Sequence, residues 1–417
     1  MKKISTTALI CVLFLVFLMS FTGCEKLKID NLRANHHLQK ANDHYTKEKF
    51  KKSIEEYETA LQYNPKLEFV YFYLGTANAL MYKPGKDTER NKEYGDNALK
   101  YLLKAKEVEP EENQVKVTLA LGDIYDKMEN FEESEKYYLQ ILNDAPDKAD
   151  TYYILADFYS KYGKLMEAET MYEKRIALNP DDPSGYFFYA NFLGNRRKFD
   201  EAISYHQKRI HTMVDPEIER VQSEVDKLTA TVENIEKIQK FMETVKKNRR
   251  VDKAEKERIL AEKTKQIEEL GNLEELNAQI EEKTAIVTGK LEKIEEVMLA
   301  FEEDKRKVLA RANYTIGVVC WNKSYQTGPN MMAPEERLAV ADLGFTFLER
   351  ATKLDVDYPD PWAYMKLLYL EKVKAEPLKR EEYMAAGDEA GVKFLKLRKK
   401  LMEHEAYMRQ LEQVGKE

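Results

Sequence analysis

Cysteine is scarce in this 417-residue chain, which holds only Cys11, Cys24 and Cys320. Glycine clusters that could cradle phosphate are missing, as are the Gly-x-Ser-x-Gly, His-Glu-x-x-His and Cys-x-x-Cys motifs. Cys320 lies in an apolar stretch beside Trp321, and the sequence places no base to activate its thiol. These absences argue against an enzyme and against a bound cofactor, and we expect Cys320 to be a buried structural residue.

Histidine and basic charge are also limited. His36, His37 and His44 lie close together, but adjacent residues of a helix point about 100° apart, so they predict no metal site. Removing Lys2 and Lys3 with a leader leaves 65 of the 67 basic residues against 74 acidic ones. The acidic balance argues against a nucleic-acid partner. The basic run at residues 246–250 is expected to be solvated, with contact to anionic lipid or envelope polymer left open.

The first 24 residues are typical of an export signal. Two lysines precede an apolar run over residues 8–21, which is shorter than the ~20 residues that span a bilayer. The ending Phe21-Thr22-Gly23-Cys24 resembles the bacterial lipobox, which implies a signal peptide at 1–23, lipidation of Cys24 and a linker at 24–33. Cys320 would then be the one remaining thiol, which excludes an internal disulfide. The alternative is an ordinary signal peptide or uncleaved anchor with an incidental cysteine.

The middle of the chain repeats with a period of 34 residues. Three copies share large residues at helical spacing, two small positions and, in most cases, a closing proline. The copies contain Thr118, Leu121, Gly122, Tyr125, Phe131, Ser134, Tyr138 and Pro146; then Tyr152, Leu155, Ala156, Tyr159, Leu165, Ala168, Tyr172 and Pro180; then Tyr186, Tyr189, Ala190, Phe199, Ala202 and His206. Each copy predicts two antiparallel helices, with turns near Asn130, Lys164 and Lys198 and close helix contacts at the small residues.

This pattern resembles the tetratricopeptide repeat. The resemblance implies an all-α helical solenoid with five repeats over residues 34–215 and two degenerate repeats over 313–392, followed by a charged C-terminal helix at 393–417. Solenoids of this kind bind other proteins.

A long insertion, residues 216–312, separates the two groups of repeats. It has no proline after Pro216, and apolar residues recur three and four positions apart in two runs, beginning at Ile218 and Ile280. Such seams predict a long antiparallel coiled-coil hairpin. Gly271-Asn272 is the preferred turn, which gives arms of about 80 Å; a turn near Arg250 is the alternative. The same seams leave self-association through the coiled coil open.

The family resemblance also implies where a partner binds. The first helix of each repeat lines the concave side, and the positions there that do not serve the repeat core are Leu38, Asn42, Tyr45, Phe72, Thr76, Leu119, Asp123, Asp126, Tyr153, Asp157, Phe187, Asn191 and Asn195. Aromatic rings flanked by amides and carboxylates suit an extended peptide. The alternative is that Phe72, Tyr153 and Phe187 only pack between helices. One known site of this family binds a C-terminal carboxylate with Lys and Asn. Here Asn42 stands at the asparagine position, but Leu38 stands at the lysine position, so that activity is not expected.

Together these features predict a non-enzymatic, protein-binding scaffold. It would be lipid-anchored in the bacterial cell envelope, facing the periplasm, with inner or outer membrane undetermined. The alternative is an oligomerising or mechanical spacer that acts through the coiled-coil hairpin in an envelope assembly, secretion or surface-polymer system.

Overall fold

The computed structural model describes residues 29–108, 110–248, 252–328 and 330–414. The predicted signal peptide, Cys24 and the first part of the predicted linker lie outside these ranges. All regular elements of the described ranges are helical, and none of those helices is long and apolar enough to cross a membrane. The chain forms two compact units that divide between Tyr159 and Ser160.

The first unit is a series of helices that pack against their neighbours in sequence, notably α3 with α4 and α5 with α6. The helices are α1 (29–46), α2 (Phe50–Tyr63), α3 (Val70–Met81), α4 (Glu89–Val108), α5 (Glu111–Lys127), α6 (Phe131–Asp144) and α7 (Ala149–Lys161), whose last residues extend beyond the division. The extra residues predicted around Lys83–Asp87 form the loop between α3 and α4. Asn91 holds this loop through hydrogen bonds to Lys83 and Lys86.

The turns inside the first, third, fourth and fifth repeats follow one local design. A residue with a positive φ angle stands two positions before the second helix, which then begins with a large apolar residue. The positive-φ residues are Glu48, Glu129, Gly163 and Arg197, and the helices begin at Phe50, Phe131, Leu165 and Phe199. Asn130 also caps its helix by accepting a hydrogen bond from Glu133 N over 3.2 Å. The turns predicted near Asn130, Lys164 and Lys198 are confirmed.

Small residues mark the places where the two helices of a repeat touch. A Cβ added at Gly122 would lie 2.5 Å from the Tyr138 ring, so glycine is required there. Ser134 Oγ donates to Gly122 O over 2.9 Å, and in the first repeat Ser53 Oγ donates to Ala41 O over 3.0 Å. The predicted close contacts at Gly122 and Ser134 are confirmed.

The second unit holds the remaining helices. They are α8 (Leu165–Leu178), α9 (Pro183–Asn195), α10 (Phe199–Val214), α11 (Glu217–Lys247), α12 (Lys253–Leu270), α13 (Leu273–Glu292), α14 (Ile294–Ala300), α15 (Glu303–Gln326), α16 (Pro334–Leu354), α17 (Asp360–Ala375) and α18 (Arg380–Val414). α10 packs on α9 and also on α15, so the repeat-like packing continues across the insertion.

The base of the insertion is built into the core of this unit. Ile218 at the start of α11 and Met298 in α14 share one buried cluster with Ile210 of α10 and Ile316 of α15. Both ends of the insertion therefore pack into one buried cluster with α10 and α15. The predicted boundary between residues 312 and 313 falls inside α15.

The insertion reverses direction earlier than the preferred turn. Lys290 of α13 pairs with Glu217 over 2.7 Å and Lys283 pairs with Glu224, so α13 runs antiparallel to the first half of α11. α12 begins beside the end of α11, where Lys256 Nζ lies 3.4 Å from Lys246 O. The chain therefore reverses between α11 and α12, and Gly271 only separates α12 from α13. Arg250 itself lies outside the described residues, and α11 is about 46 Å long, well below the expected 80 Å.

The C-terminal part is one continuous helix. α18 runs from Arg380 to Val414 without a break at 392, so the second helix of the last repeat and the charged terminal helix are a single element. Its first half packs on α17, with Lys366 paired to Asp388 over 2.9 Å.

Candidate partner-binding surface

In the first unit, three of the predicted binding residues lie together on α1 and α3. Tyr57 OH donates to Asn42 Oδ1 over 2.7 Å, and Tyr45 OH lies 3.1 Å from Thr76 Oγ1. The Tyr45 ring also meets the Tyr73 ring edge to face at 5.7 Å. These bonds orient polar groups beside aromatic rings, while Leu38 is half-buried against the core.

Next to this cluster lies a cavity of about 170 Å³ between α3 and α5. Phe72 is the one predicted residue in its lining, which consists of Phe69, Phe72, Tyr73, Asn113, Lys116 and Val117. Phe69 and Tyr73 are exposed, at 47% and 41%. The sequence reading missed these two rings, although the aromatic run from Phe69 to Tyr73 was a usable signal. Exposed aromatic side chains around a cavity are typical of a binding surface.

Asp123 on α5 has the same kind of hydrogen-bond partner as Asn42 on α1. Tyr138 OH donates to Asp123 Oδ1 over 2.8 Å, with the same fifteen-residue separation as Tyr57 and Asn42. The carboxylate reaches solvent, yet desolvation by surrounding protein raises its pKa. The other predicted residues of this unit lie on the same faces of α5 and α7: Leu119, Asp126 and Tyr153 are half-buried, and Asp157 is exposed.

In the second unit, the predicted Phe187 lies between two residues of α10. Its ring centroid is 6.2 Å from the His206 ring and 4.5 Å from Arg209 Cζ. Asn191 is half-buried and Asn195 exposed on α9. His206 and Arg209 were not predicted as site residues, although His206 follows Asn191 at the spacing that joins Tyr57 to Asn42.

Neither a reactive thiol nor a metal-binding cluster is present in the described ranges. Cys320 is buried, and burial raises the pKa of its thiol to about 12, which favours the unreactive protonated form. No three His, Cys, Asp or Glu side chains among residues 29–108, 110–248, 252–328 and 330–414 are placed to hold a metal ion.

Residues 116–147 and 149–182 match the family model of the tetratricopeptide repeat. These two segments are tetratricopeptide repeats. Proteins built from tetratricopeptide repeats generally serve as scaffolds for protein interaction, and the match indicates no catalytic family.

Several solved structures are similar in fold, whereas no curated protein matches the chain in sequence. A tetratricopeptide repeat protein from Parabacteroides merdae is 13% identical, with 81% of this chain and 99% of that chain covered and a TM-score of 0.35. PilF of Pseudomonas aeruginosa is 14% identical over 61% and 98%, with a TM-score of 0.33. MamA is 20% identical over 41% and 93%, also with a TM-score of 0.33. At these TM-scores, the three likenesses bear on neither the partner nor the pathway of this chain.

Proposed function

We propose that the chain is a non-enzymatic scaffold lipoprotein of the bacterial cell envelope, which binds a protein partner through the first helices of its repeats. The observation that carries the proposal is the cavity between α3 and α5, where Phe69 and Tyr73 remain exposed beside Lys116. Rings that stay exposed in a folded protein cost hydration free energy, and a partner side chain that covers them recovers it.

The groups around the cavity suit an extended peptide. The rings of Phe69, Phe72 and Tyr73 would surround one apolar side chain. Asn113 and Lys116 stand on the opposite helix, where an amide and a cation can contact peptide carbonyls or an acidic side chain. The hydrogen bonds of Asn42 and Thr76 hold neighbouring polar groups in fixed positions, which lowers the entropy lost on binding.

We expect the variant Phe69→Ala/Lys116→Ala to reduce partner capture from native envelopes by roughly tenfold or more, because truncating an aromatic hot-spot residue costs about 2 kcal/mol or more. The measurement is quantitative crosslinking and affinity capture with the full-length protein. Leu80→Ala is the matched control, since Leu80 is a 49% exposed apolar residue of the same helix α3. Equal capture by the double variant and the control would contradict the proposed surface.

The alternative function, a spacer that acts through the insertion, is favoured by α12. This helix has no buried residue, so half-exposed side chains such as Leu260 and Ile267 are available to another chain.

The same capture experiment, carried out with a shortened insertion, distinguishes the scaffold function from the spacer function. The pairing of Glu224 with Lys283 puts residues 228 and 279 opposite each other. Replacing 229–278 with a short glycine-serine turn therefore leaves the buried base intact. Loss of the partner from this variant would place recognition in the insertion.

The lipid anchor is a separate part of the proposal. Cys24 stands at the end of the lipobox-like sequence, and acyl chains on that residue would hold the protein at a membrane. We expect Cys24→Ser to abolish metabolic labelling with a fatty acid and to move the protein out of the membrane fraction. Cys11→Ser is the control and should change neither readout. Unchanged labelling of Cys24→Ser would exclude lipidation at this residue.

A further inference from the structure

Arg209 on α10 is a half-buried cation without a counter-charge. Its guanidinium lies over the Phe187 ring, with 4.5 Å from Cζ to the ring centroid, and makes no ion pair or hydrogen bond within the described ranges. Desolvation lowers the pKa of this guanidinium. A half-buried guanidinium that is paired with no carboxylate of the described residues can still be reached by an acidic group from a partner.

The preceding repeat shows which partner Arg209 lacks. Arg175 stands one period of 34 residues earlier and is paired with Asp182 over 2.8 Å, with a further bond of 3.0 Å to Ser184 Oγ. One period after Asp182 and Ser184 the chain has Pro216 and Ile218, at the entry to the insertion. Neither side chain can accept a hydrogen bond. The fifth repeat thus keeps the arginine but not the acidic partner.

A second unsatisfied group lies beside Arg209. His206 is 1% exposed, and its Nδ1 has no hydrogen-bond partner among the described residues. At the equivalent position of the first and third repeats, the hydroxyls of Tyr57 and Tyr138 donate hydrogen bonds to Asn42 and Asp123. Burial, with a smaller contribution from the Arg209 charge, lowers the pKa of His206 to about 4, so the ring is neutral at pH 7. The neutral ring packs against Phe187 and adds no charge, so the positive charge at this place comes from Arg209.

We propose that Arg209, His206 and Phe187 form a binding site for one carboxylate group of the protein partner. The guanidinium offers paired N–H donors to the two carboxylate oxygens, and a single positive charge matches a single negative one. A phosphate dianion would require a second cation. The Phe187 ring packs against the carbon atoms next to the carboxylate. This inference rests on the proposed scaffold function and names the chemistry that part of the surface recognises.

The site differs from the lysine–asparagine clamp considered for the first repeat. That clamp draws its charge from a first helix, and Leu38 occupies the lysine seat here. In the proposed site the charge comes from α10, the second helix of the fifth repeat, and only Phe187 lies on α9. The carboxylate can belong to an acidic side chain or to a chain terminus.

Three acetylated tripeptides test the site and separate the two sources of carboxylate. They are trialanine with a free C-terminus, alanine-glutamate-alanine amide and, as the neutral control, trialanine amide. Binding to the full chain is followed by the NMR signals of the His206 ring. We expect at least one carboxylate peptide to shift these signals saturably, and Arg209→Gln to weaken that binding roughly tenfold or more, while Lys208→Gln, with the same change of charge on α10, leaves it unchanged. Equal binding of the neutral peptide, no binding of either carboxylate peptide, or full binding by Arg209→Gln would overturn the proposal.

Thermal melting separates a binding role from a structural one. Arg209→Gln loses only the contact with the Phe187 ring, so its melting temperature should fall less than that of Arg175→Gln, which also breaks a buried pair with Asp182. An equal decrease in both variants would make Arg209 structural and contradict the proposal. The peptide titration reads the site directly, so its failure is distinguishable from failure of the scaffold function, which partner capture measures.

Discussion

The Glu371→Ala variant should lose about 3–5 kcal/mol of unfolding free energy, because it leaves a buried guanidinium without its counter-charge. Arg337 Nη1 and Glu371 Oε2 are 2.8 Å apart, and both side chains are only 2% exposed. Ser324 Oγ also donates to Glu371 over 2.9 Å. The carboxylate therefore accepts from two buried donors, on α15 and α16, and both lose this acceptor after truncation.

Urea unfolding followed by tryptophan fluorescence measures this loss. Trp321 and Trp362, the two tryptophans of the chain, stand on α15 and α17 and so report the second unit. Asp388→Ala is the matched control, since it breaks a half-exposed pair with Lys366 between α17 and α18. Exposed pairs contribute about 0–1 kcal/mol. If Glu371→Ala loses no more unfolding free energy than the control, Glu371 does not stabilise the fold by neutralising the buried charge of Arg337.

A double variant tests whether charge or shape matters at this position. Arg337→Met/Glu371→Leu removes both charges and should recover part of the lost stability. Full recovery is not expected, because Arg337 also donates to Ser324 O over 2.6 Å, Thr327 O over 3.1 Å and Gly328 O over 3.0 Å. These bonds hold the loop between α15 and α16, and methionine cannot replace them.

Local chemistry explains which parts of the fold could be predicted. The turn at Asn130 and the close contact at Gly122 depend on residues within one repeat, and a 34-residue period displays them several times. The reversal of the insertion depends on pairs far apart in sequence, such as Glu224 with Lys283. Gly271 is a stronger helix breaker than the sequence near Arg250, but the end of a helix does not by itself reverse the direction of the chain. Sequence periodicity therefore predicted the seams and not their register.

In the candidate surface, too, local features were predicted from the sequence and features of tertiary packing were not. Asn42, Tyr45 and Thr76 were predicted from their seats in the repeat, and the structure places them together. Phe69 and Tyr73 were missed because their exposure depends on how α3 meets α5. Arg209 was within reach of the sequence, since shifting Asp182 by one period gives Pro216 and reveals the missing acid. Its half-burial, however, depends on tertiary packing.

Gly317→Ala should destabilise the second unit, although alanine is the better helix former. An added Cβ at Gly317 would lie 2.4 Å from Leu348 Cδ2 and 2.5 Å from its Cγ, while α15 and α16 pack closely along this line. Overpacking a core costs about 1–3 kcal/mol, which exceeds the gain in helix propensity of up to about 1 kcal/mol.

The matched control is Gly289→Ala in α13, where nothing lies within 4 Å of the added methyl group. That variant should gain about 0.5–1 kcal/mol from the lower backbone entropy of its unfolded state. Thermal unfolding by circular dichroism should therefore shift the two midpoints in opposite directions. A rise in both midpoints would mean that α16 can move away from α15 at no cost, which would contradict a glycine requirement at the helix contact. A fall in the first midpoint alone shows that Gly317, like Gly122 in the first unit, is fixed by the distance between the two helices of its repeat.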